Sequence, residues 1–332
     1  MASYLHDRFP ALADALPRLE LCSRPTPVRP LAALSARAGA ELWVKDDGAS
    51  APLWGGNKPR KLEWVLADAL RRRRRWVLTF GGLATNHGLA TARYARRHGL
   101  RCALALVEQP RDEHVEAQLA RLRADADAIH YTRSSRRTML LLPWLLARHA
   151  QLRPPRPPYV LPPGGSSPLG AIGFAEAALE LAAQVEAGEL PEPAEVVVAL
   201  GSGGSAAGLL AGLGLTPLRT RVVAVLVNDQ LRLDEATVTR LARRALRLLR
   251  SRGADVDPRR LGAGGVEVVT GFMGAGYGHR TAEAEAAIAA AREDGLALDP
   301  VYTGKAMAAL LARAEAARGP VLYWHTHSAV GH

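Results

Sequence analysis

The sequence predicts an α/β fold in which mostly parallel sheets are covered by helices. Short apolar runs alternate with longer stretches of helical periodicity along the 332 residues, which is typical of parallel strands joined by helices. Apolar residues make up 48% of the chain, enough for a large buried core. The length favours about two domains.

The elements follow from the period of each apolar pattern. We predict strands at 42–44, 76–80, 102–107, 196–200, 222–227 and 321–324. We predict helices at 60–72, 90–98, 168–187, 206–213, 281–293 and 305–318. Because proline cannot continue a helix or a central strand, the proline-rich stretch 153–163 is interpreted as a linker between lobes.

Composition argues against several function classes. The net charge is +11, but the arginine run 71–75 sits at a predicted helix end, where cations complement the dipole, and lacks the aromatic residues of a stacking platform. We therefore predict no nucleic-acid partner. No apolar stretch is long enough to span a bilayer, and Cys22 and Cys102 form no CxxC pair. We expect a cytoplasmic protein without a membrane anchor or a thiolate metal site.

Lysine is scarce, and its few positions are informative. Only Lys45, Lys58, Lys61 and Lys305 accompany a large stock of arginine. Arginine serves as a surface cation but stays protonated, whereas a lysine amine can become a nucleophile and condense with a carbonyl. Lys58 follows Gly55, Gly56 and Asn57 and precedes a proline suited to a first helical turn. The positive end of a helix disfavours its protonated form, so Lys58 is the predicted covalent nucleophile, with Lys61 one turn on.

Two glycine-rich loops follow predicted strands. The segment 81–88 ends in Thr85, Asn86, His87 and Gly88, and its capped helix could bind an anion such as a substrate carboxylate. The segment 201–208 opens another helix with small residues whose backbone N–H groups can converge on a phosphate: Gly201, Ser202, Gly203, Gly204 and Ser205. Its spacing also satisfies a dinucleotide fingerprint, with Asp229 as a conceivable ribose ligand, so this loop alone leaves both ligands open.

A fourth cluster lies near the C-terminus. Tyr277, Tyr302 and Thr303 stand beside tight turns, where turn formation or core packing is as plausible as a functional role. His325 and His327 share one face of a strand end but have no third ligand in sight, and no metal is predicted.

A poised lysine and a phosphate cradle together require a phosphorylated aldehyde, and pyridoxal 5'-phosphate satisfies both requirements. A nicotinamide-dependent oxidoreductase would explain the glycine loop and Asp229 but leaves Lys58 without a role.

The same segments resemble the D-cysteine desulfhydrase and 1-aminocyclopropane-1-carboxylate (ACC) deaminase family of pyridoxal-phosphate enzymes, which is tryptophan-synthase-β-like. The specific motifs are GGNKPRKLE at 55–63 and DPVYTGKAM at 299–307. The resemblance implies fold type II, a large domain of 1–48 and 165–332, a small domain of 49–164, and a homodimer. It also implies an α,β-elimination on a β-substituted amino acid, most readily D-cysteine, giving pyruvate, ammonia and sulfide. The alternatives are ACC deamination or another pyridoxal-phosphate-dependent lyase or deaminase reaction on a different amino acid.

Residue roles also follow from this resemblance. It implies that Lys58 is the Schiff-base lysine, that Thr85 replaces a serine, and that Asn86 faces the phenolate oxygen of the cofactor. It implies that 201–208 holds the phosphate and that Tyr277 and Tyr302 are active-site tyrosines. Thr85, Asn86 and His87 would hold the substrate carboxylate, and Thr85 is also a candidate catalytic residue that assists proton transfer.

The resemblance also supplies a discrimination between the two activities. Thr303 occupies the position of the pyridine-nitrogen partner, where ACC deaminases carry glutamate, and Thr326 occupies a second cofactor-binding position, where they carry leucine. Hydroxyl residues at both positions favour elimination. A hydroxyl keeps the pyridine nitrogen protonated less well than a carboxylate does, and the weaker electron sink that results is sufficient when a good leaving group departs. Departures at Ala84 to Ala90 and at His327 and Ser328 suggest a substrate larger than cysteine or of another kind.

Overall fold

The computed structural model describes residues 3–330, which form two parallel-rich sheets with helices around them. The strands are β1 (Val28–Pro30), β2 (Leu42–Asp46), β3 (Trp76–Gly82), β4 (Arg101–Val107), β5 (Ala128–Arg133), β6 (Gln151–Leu152), β7 (Pro155–Arg156), β8 (Tyr159–Leu161), β9 (Glu195–Leu200), β10 (Arg221–Leu226), β11 (Val266–Val269) and β12 (Val321–His325). The helices are α1 (Tyr4–Arg8), α2 (Leu12–Ala15), α3 (Ala32–Ala38), α4 (Asn57–Arg71), α5 (Asn86–Arg97), α6 (Glu113–Asp125), α7 (Ser135–Arg148), α8 (Pro168–Glu186), α9 (Gly204–Leu213), α10 (Glu235–Ser251), α11 (Ala282–Ala291) and α12 (Thr303–Arg313).

The larger sheet has six strands in the order β1-β2-β12-β9-β10-β11. All neighbours are parallel except the edge strand β1, which is antiparallel to β2. Buried valines of β9 and β10 face both sides of the sheet and join an apolar cluster on each face. This pattern of strands buried on both faces is the one expected for a parallel sheet covered by helices.

The smaller sheet is fully parallel, in the order β5-β4-β3-β8. Its strands lie between residues 76 and 161, whereas the strands of the larger sheet come from the chain before and after that segment. This arrangement fits an insertion of 49–164 into the larger unit. That division into domains stays a prediction.

Helix α4 packs against both sheets. Trp64 joins the cluster around α8 and the larger sheet, while Leu62, Val65 and Leu66 join the cluster of the smaller sheet. Apolar contacts on two sides explain why almost all of α4 is buried. They also fix the N-terminal end of α4, which carries Lys58, between the two sheets.

A buried charge network reinforces this placement. The Arg60 guanidinium lies 2.8 Å from both carboxylate oxygens of Asp47, which follows β2, and 2.9 Å from Glu180 of α8. Lys45 adds a second contact to Glu180 at 2.7 Å. All four side chains are fully buried, so each charge depends on its partners for compensation.

All six predicted strands and all six predicted helices are present, with modest changes of bounds. The linker interpretation of 153–163 is wrong in part, because Tyr159–Leu161 forms β8 and pairs with β3. Prolines are tolerated there since β8 lies at a sheet edge and contains none itself, the prolines of the stretch standing before and after it. Elements that the sequence did not predict are β1, β5, β6, β7, β11, α1, α2, α3, α6, α7 and α10.

Helix α4 ends at the start of the arginine run, where Arg71 and Arg72 pair with Asp68 and remain half exposed. Among residues 3–330, no helix is long and apolar enough to cross a bilayer.

Candidate functional site

A cavity of about 560 Å³ lies between the two sheets, at the carboxyl ends of their strands. The ends of β3 and β4 contribute Phe80 and Val107, the loop after β9 contributes Gly201, and the loop after β12 contributes Thr326. Ligands in parallel α/β sheets bind at this edge, and the size suits a small-molecule site.

Lys58 lines this cavity in the first turn of α4. Burial lowers the pKa of its amine from 10.5 to about 8, although the Asp299 carboxylate partly opposes the shift. Its Nζ donates to Oδ1 of Asn57 at 2.6 Å. A large fraction of neutral amine near pH 8 is the property that bonding to an aldehyde requires.

Lys61 lines the cavity one turn further along α4. Its Nζ donates to the carbonyl of Gly164 at 3.2 Å and would lie 3.0 Å from a Cβ placed on Gly204. Burial, with Lys58 as a second cause, holds the pKa of Lys61 well below its usual value. An anion at Gly204 would give this buried amine a charge partner. The sequence prediction placed Lys61 beside Lys58 but assigned it no such role.

The loop from Gly201 to Ser205 forms a cradle at the N-terminus of α9. Gly203 has φ +87°, a conformation that glycine adopts without strain, and α9 begins at Gly204. The Gly204 N–H donates to Ser166 Oγ at 2.9 Å, and the hydroxyls of Ser166 and Ser202 are 2.8 Å apart. Small side chains and a free helix end together suit a phosphate.

Two neighbours of the cradle were assigned no role from the sequence. Ser166 comes from the turn before α8, and Asn57 donates from its Nδ2 to Ser205 Oγ at 3.1 Å. A Cβ on Gly201 would lie 2.9 Å from the ring of Tyr302, so this glycine allows the tyrosine to approach the loop.

The loop before α5 supplies the third wall. Thr85 is the N-cap of α5, and its Oγ1 accepts from the Gly88 N–H at 3.2 Å. The Oδ1 of Asn86 accepts from Gln118 at 2.8 Å. Thr85, Asn86 and His87 all line the cavity, and their role as ligands of the substrate carboxylate stays a prediction.

His87 is the polar side chain of this wall that lacks protein partners. It is buried, and within residues 3–330 neither ring nitrogen has a hydrogen-bond partner. Burial, then Lys58 and Lys61, hold its pKa well below the usual value, so the ring is neutral at physiological pH. A buried polar group without a partner is costly, and a bound ligand would remove that cost.

Tyr277 and Tyr302 meet at the cavity, with their hydroxyl oxygens 2.5 Å apart. Burial raises the pKa of both phenols, so each keeps its proton near neutral pH. The Tyr277 N–H donates to Asp229 at 3.2 Å. Asp229, considered above as a ribose ligand, is therefore part of this turn and is not among the described residues lining the cavity.

Thr303 differs from its expected placement. It is almost fully buried and is not among the described residues lining the cavity. Its hydroxyl is 2.6 Å from Asp299 Oδ2, because Asp299 organises the turn that starts α12. Thr326 does line the cavity, and its role in cofactor binding stays a prediction.

Asp299 is a site residue that the sequence prediction missed. It is the one carboxylate among the described residues lining the cavity, and it accepts from three backbone N–H groups as well as from Thr303. Burial alone would raise its pKa, but His327 and these donors lower it, so Asp299 stays ionised. The only signal was its place in the DPVYTG turn.

The two C-terminal histidines have separate protein partners. His325 contacts Asp46 at 2.8 Å and the Ala297 carbonyl at 3.0 Å, whereas His327 lies 3.6 Å from Asp299. Within residues 3–330, no cluster of three metal-ligating side chains is found.

These residues fit pyridoxal 5'-phosphate. The cradle at Gly203 and Gly204, with the Lys61 amine beside it, suits the phosphate, and Lys58 suits the aldehyde. The unpaired nitrogens of His87 provide further polar contacts for a ligand. A dinucleotide would use the same cradle but would leave the lowered pKa of Lys58 without a purpose.

Comparisons with known proteins agree with the geometry. The family model described as "Pyridoxal-phosphate dependent enzyme" matches residues 19–327. A D-cysteine desulfhydrase of Klebsiella pneumoniae (strain 342) is 36% identical over 325 residues, covering 94% of each chain. One from Salmonella newport (strain SL254) is 36% identical over 330 residues, with the same coverage.

Solved structures give the same fold. An ACC deaminase homologue superposes with a TM-score of 0.82 at 30% identity, covering 100% of this chain and 96% of the other. Serine racemase from Dictyostelium discoideum superposes with a TM-score of 0.64 at 16% identity, covering 97% of this chain and 98% of the other, which shows a likeness of fold. The fold is fold type II, and the chain belongs to the pyridoxal-phosphate dependent enzymes.

Proposed function

We propose that this enzyme catalyses α,β-elimination on a β-substituted amino acid. The curated relatives named above are D-cysteine desulfhydrases, so D-cysteine is the first substrate to test. The products would be pyruvate, ammonia and sulfide. Bound pyridoxal phosphate supplies an electron sink at the substrate Cα, and the protein residues determine which bond breaks.

The observation that carries this proposal is the engagement of Asp299. Asp299 is the single carboxylate among the described lining residues, and it already accepts four hydrogen bonds from the protein. Thr326, which also lines the cavity, offers a neutral hydroxyl. A neutral partner leaves the pyridine nitrogen less fully protonated than a free carboxylate would. An electron sink weakened in this way is sufficient for elimination of a good leaving group but is poorly suited to opening the cyclopropane ring of ACC.

The protein residues then have distinct roles. Lys58 Nζ removes the α-proton, because its lowered pKa leaves it partly neutral. Thr85, Asn86 and His87 hold the substrate carboxylate at the N-terminus of α5, where the helix dipole favours an anion. The Tyr277 and Tyr302 hydroxyls, which keep their protons, donate a proton to the departing group.

ACC deamination is the second candidate, and the ACC deaminase homologue at 30% identity favours it. The test compares pyruvate release from D-cysteine and β-chloro-D-alanine with 2-oxobutanoate release from ACC. Borohydride-treated enzyme is the blank. We expect pyruvate and little or no 2-oxobutanoate; turnover of ACC equal to or above elimination would overturn the proposal.

We further propose a cytoplasmic homodimer. Cys22 and Cys102 are buried and free, which fits a reducing compartment. The homodimer rests on the family resemblance alone, and sedimentation analysis would test it.

A further inference from the structure

The mouth of the cavity is unusually apolar. Met139 on α7, Val160 on β8 and Leu231 after β10 all line it, and they remain 65%, 40% and 36% exposed. They come from both sides of the opening, since Leu231 belongs to the chain of the larger sheet. Phe80 and Val107 also line the cavity and are less exposed than these three residues.

The polar groups near this wall do not change its character. Ser135 and Gln230 also line the cavity, but neither carries a charge. Thr138 lines it too, and its Oγ1 is 2.6 Å from Thr132 Oγ1 and donates to the Ser134 carbonyl at 3.0 Å. The lysines that line the cavity, Lys58 and Lys61, lie on α4. The wall therefore offers contact area to an apolar group and no charge to a polar one.

Exposed apolar side chains arranged around an opening favour a ligand that covers them. The sulfhydryl of cysteine carries too little apolar surface to cover these side chains. A large apolar group attached at the substrate Cβ would fill this space and remove apolar surface from water.

We propose that the wall formed by Phe80, Val107, Met139, Val160 and Leu231, here termed the apolar wall, binds the β-substituent of the substrate. The preferred substrates are S-alkyl or S-arylmethyl cysteines, with S-benzylcysteine as the probe. This inference rests on the proposed elimination. It names the substrate class of that same site.

The reaction balances without a further reactant except water. The Cα–H and Cβ–S bonds break, and the sulfur leaves with the bonding electron pair and takes up a proton. The released 2-aminoacrylate reacts with water. One S-substituted cysteine and one water give one thiol, one pyruvate and one ammonia, with no net oxidation or reduction.

The test measures kcat/KM of the holoenzyme for S-benzylcysteine, cysteine and β-chloroalanine, each as both enantiomers. One added methylene in an apolar pocket changes discrimination by about 10-fold or more, so we expect the benzyl substrate to exceed cysteine by at least about 10-fold. Equal or lower efficiency with the benzyl substrate would overturn the inference.

Adjacent residues of α7 provide a matched pair of variants. Met139→Gln changes a lining side chain to a polar one of similar shape, and Leu140→Gln does the same at a residue 82% exposed and outside the described lining set. We expect Met139→Gln to lower kcat/KM for S-benzylcysteine about 10-fold, and by a larger factor than it lowers kcat/KM for cysteine. Leu140→Gln should change neither; equal effects of the two variants would overturn the inference.

A binding measurement separates this inference from the proposed function. Calorimetry compares 2-amino-5-phenylpentanoate, which lacks a leaving group, with 2-aminopentanoate, which also lacks the phenyl ring. Tighter binding of the phenyl compound without pyruvate from any substrate would support the apolar wall and defeat the elimination proposal. Pyruvate from β-chloroalanine with equal binding of both compounds would defeat the apolar wall alone.

Discussion

Replacing Arg60 by methionine tests how the N-terminal end of α4 is held in place. The guanidinium makes five hydrogen bonds, two to Asp47, two to Glu180 and one to Thr26, and all of these side chains are buried. Methionine fills a similar volume but leaves Glu180 with only Lys45 at 2.7 Å and Arg24 at 3.8 Å, and removes the ion pair of Asp47.

The expected cost is large for one substitution. Removing one partner from a buried ion pair destabilises a protein by about 3–5 kcal/mol, because the other charge stays buried without compensation. At about 2 °C per kcal/mol, the midpoint of thermal unfolding should fall by about 6–10 °C. Since Arg60 is two residues from Lys58, cofactor retention should weaken as well.

Arg37→Met is the matched control. Arg37 pairs with Glu293 at 3.0 Å, but both side chains are more than half exposed, and such pairs contribute about 0–1 kcal/mol. Differential scanning calorimetry of both variants gives the comparison. A midpoint for Arg60→Met within about 2 °C of that for Arg37→Met would refute the role assigned to the network.

The pH dependence adds an independent check. Burial would raise the pKa of Glu180, but Arg60 and Lys45 lower it well below the ordinary 4.5. The stabilisation that ionised Glu180 provides is therefore complete above pH 4.5 and is lost as the pH falls towards the pKa of Glu180 in the folded protein. Without Arg60, burial should raise the pKa of Glu180, so the difference between variant and wild type should shrink as the pH is lowered towards 5.

Two further predictions concern the cofactor. Gly203→Val should abolish cofactor binding while the chain stays folded, because valine is strained at φ +87° and covers the cradle. The control is Gly188→Val, at φ +73° with open space around it, which should retain the cofactor. Normal absorbance of the Gly203 variant at the cofactor band would contradict this. Covalent capture of the cofactor by cofactor-free protein should speed up with pH and level off above about 8, since only neutral Lys58 reacts. A plateau reached only near the ordinary lysine pKa of 10.5 would contradict the environment assigned to Lys58.

The elements around the site could be predicted because their signals are local. The start of α4, the cap at Thr85 and the cradle at Gly203 each depend on a glycine, proline or hydroxyl residue at a fixed place in the chain. Helix α10 has a clear apolar stripe, although it was not among the predicted helices. The stripe of α7 was ambiguous, because several of its apolar residues stay exposed.

Long-range contacts could not be predicted in this way. Asp299 accepts from the backbone N–H and the hydroxyl of Thr303 in the first turn of α12, so this hydroxyl is held away from the cavity. The position of Thr303 in a sequence motif gives no information about that contact. Ser166 and Gly164 reach the site only because β8 pairs with β3 and directs the following turn towards α9. The lack of protein partners for His87 likewise depends on packing from several elements.

The most direct test of the central claim is reduction of the holoenzyme with borohydride, followed by digestion and peptide mass mapping. Borohydride makes the bond between the cofactor and its lysine permanent. The account predicts a pyridoxyl label on Lys58, whose amine has a pKa of about 8 at the cavity wall. A label on Lys61 or Lys305, with Lys58 unmodified, would contradict it.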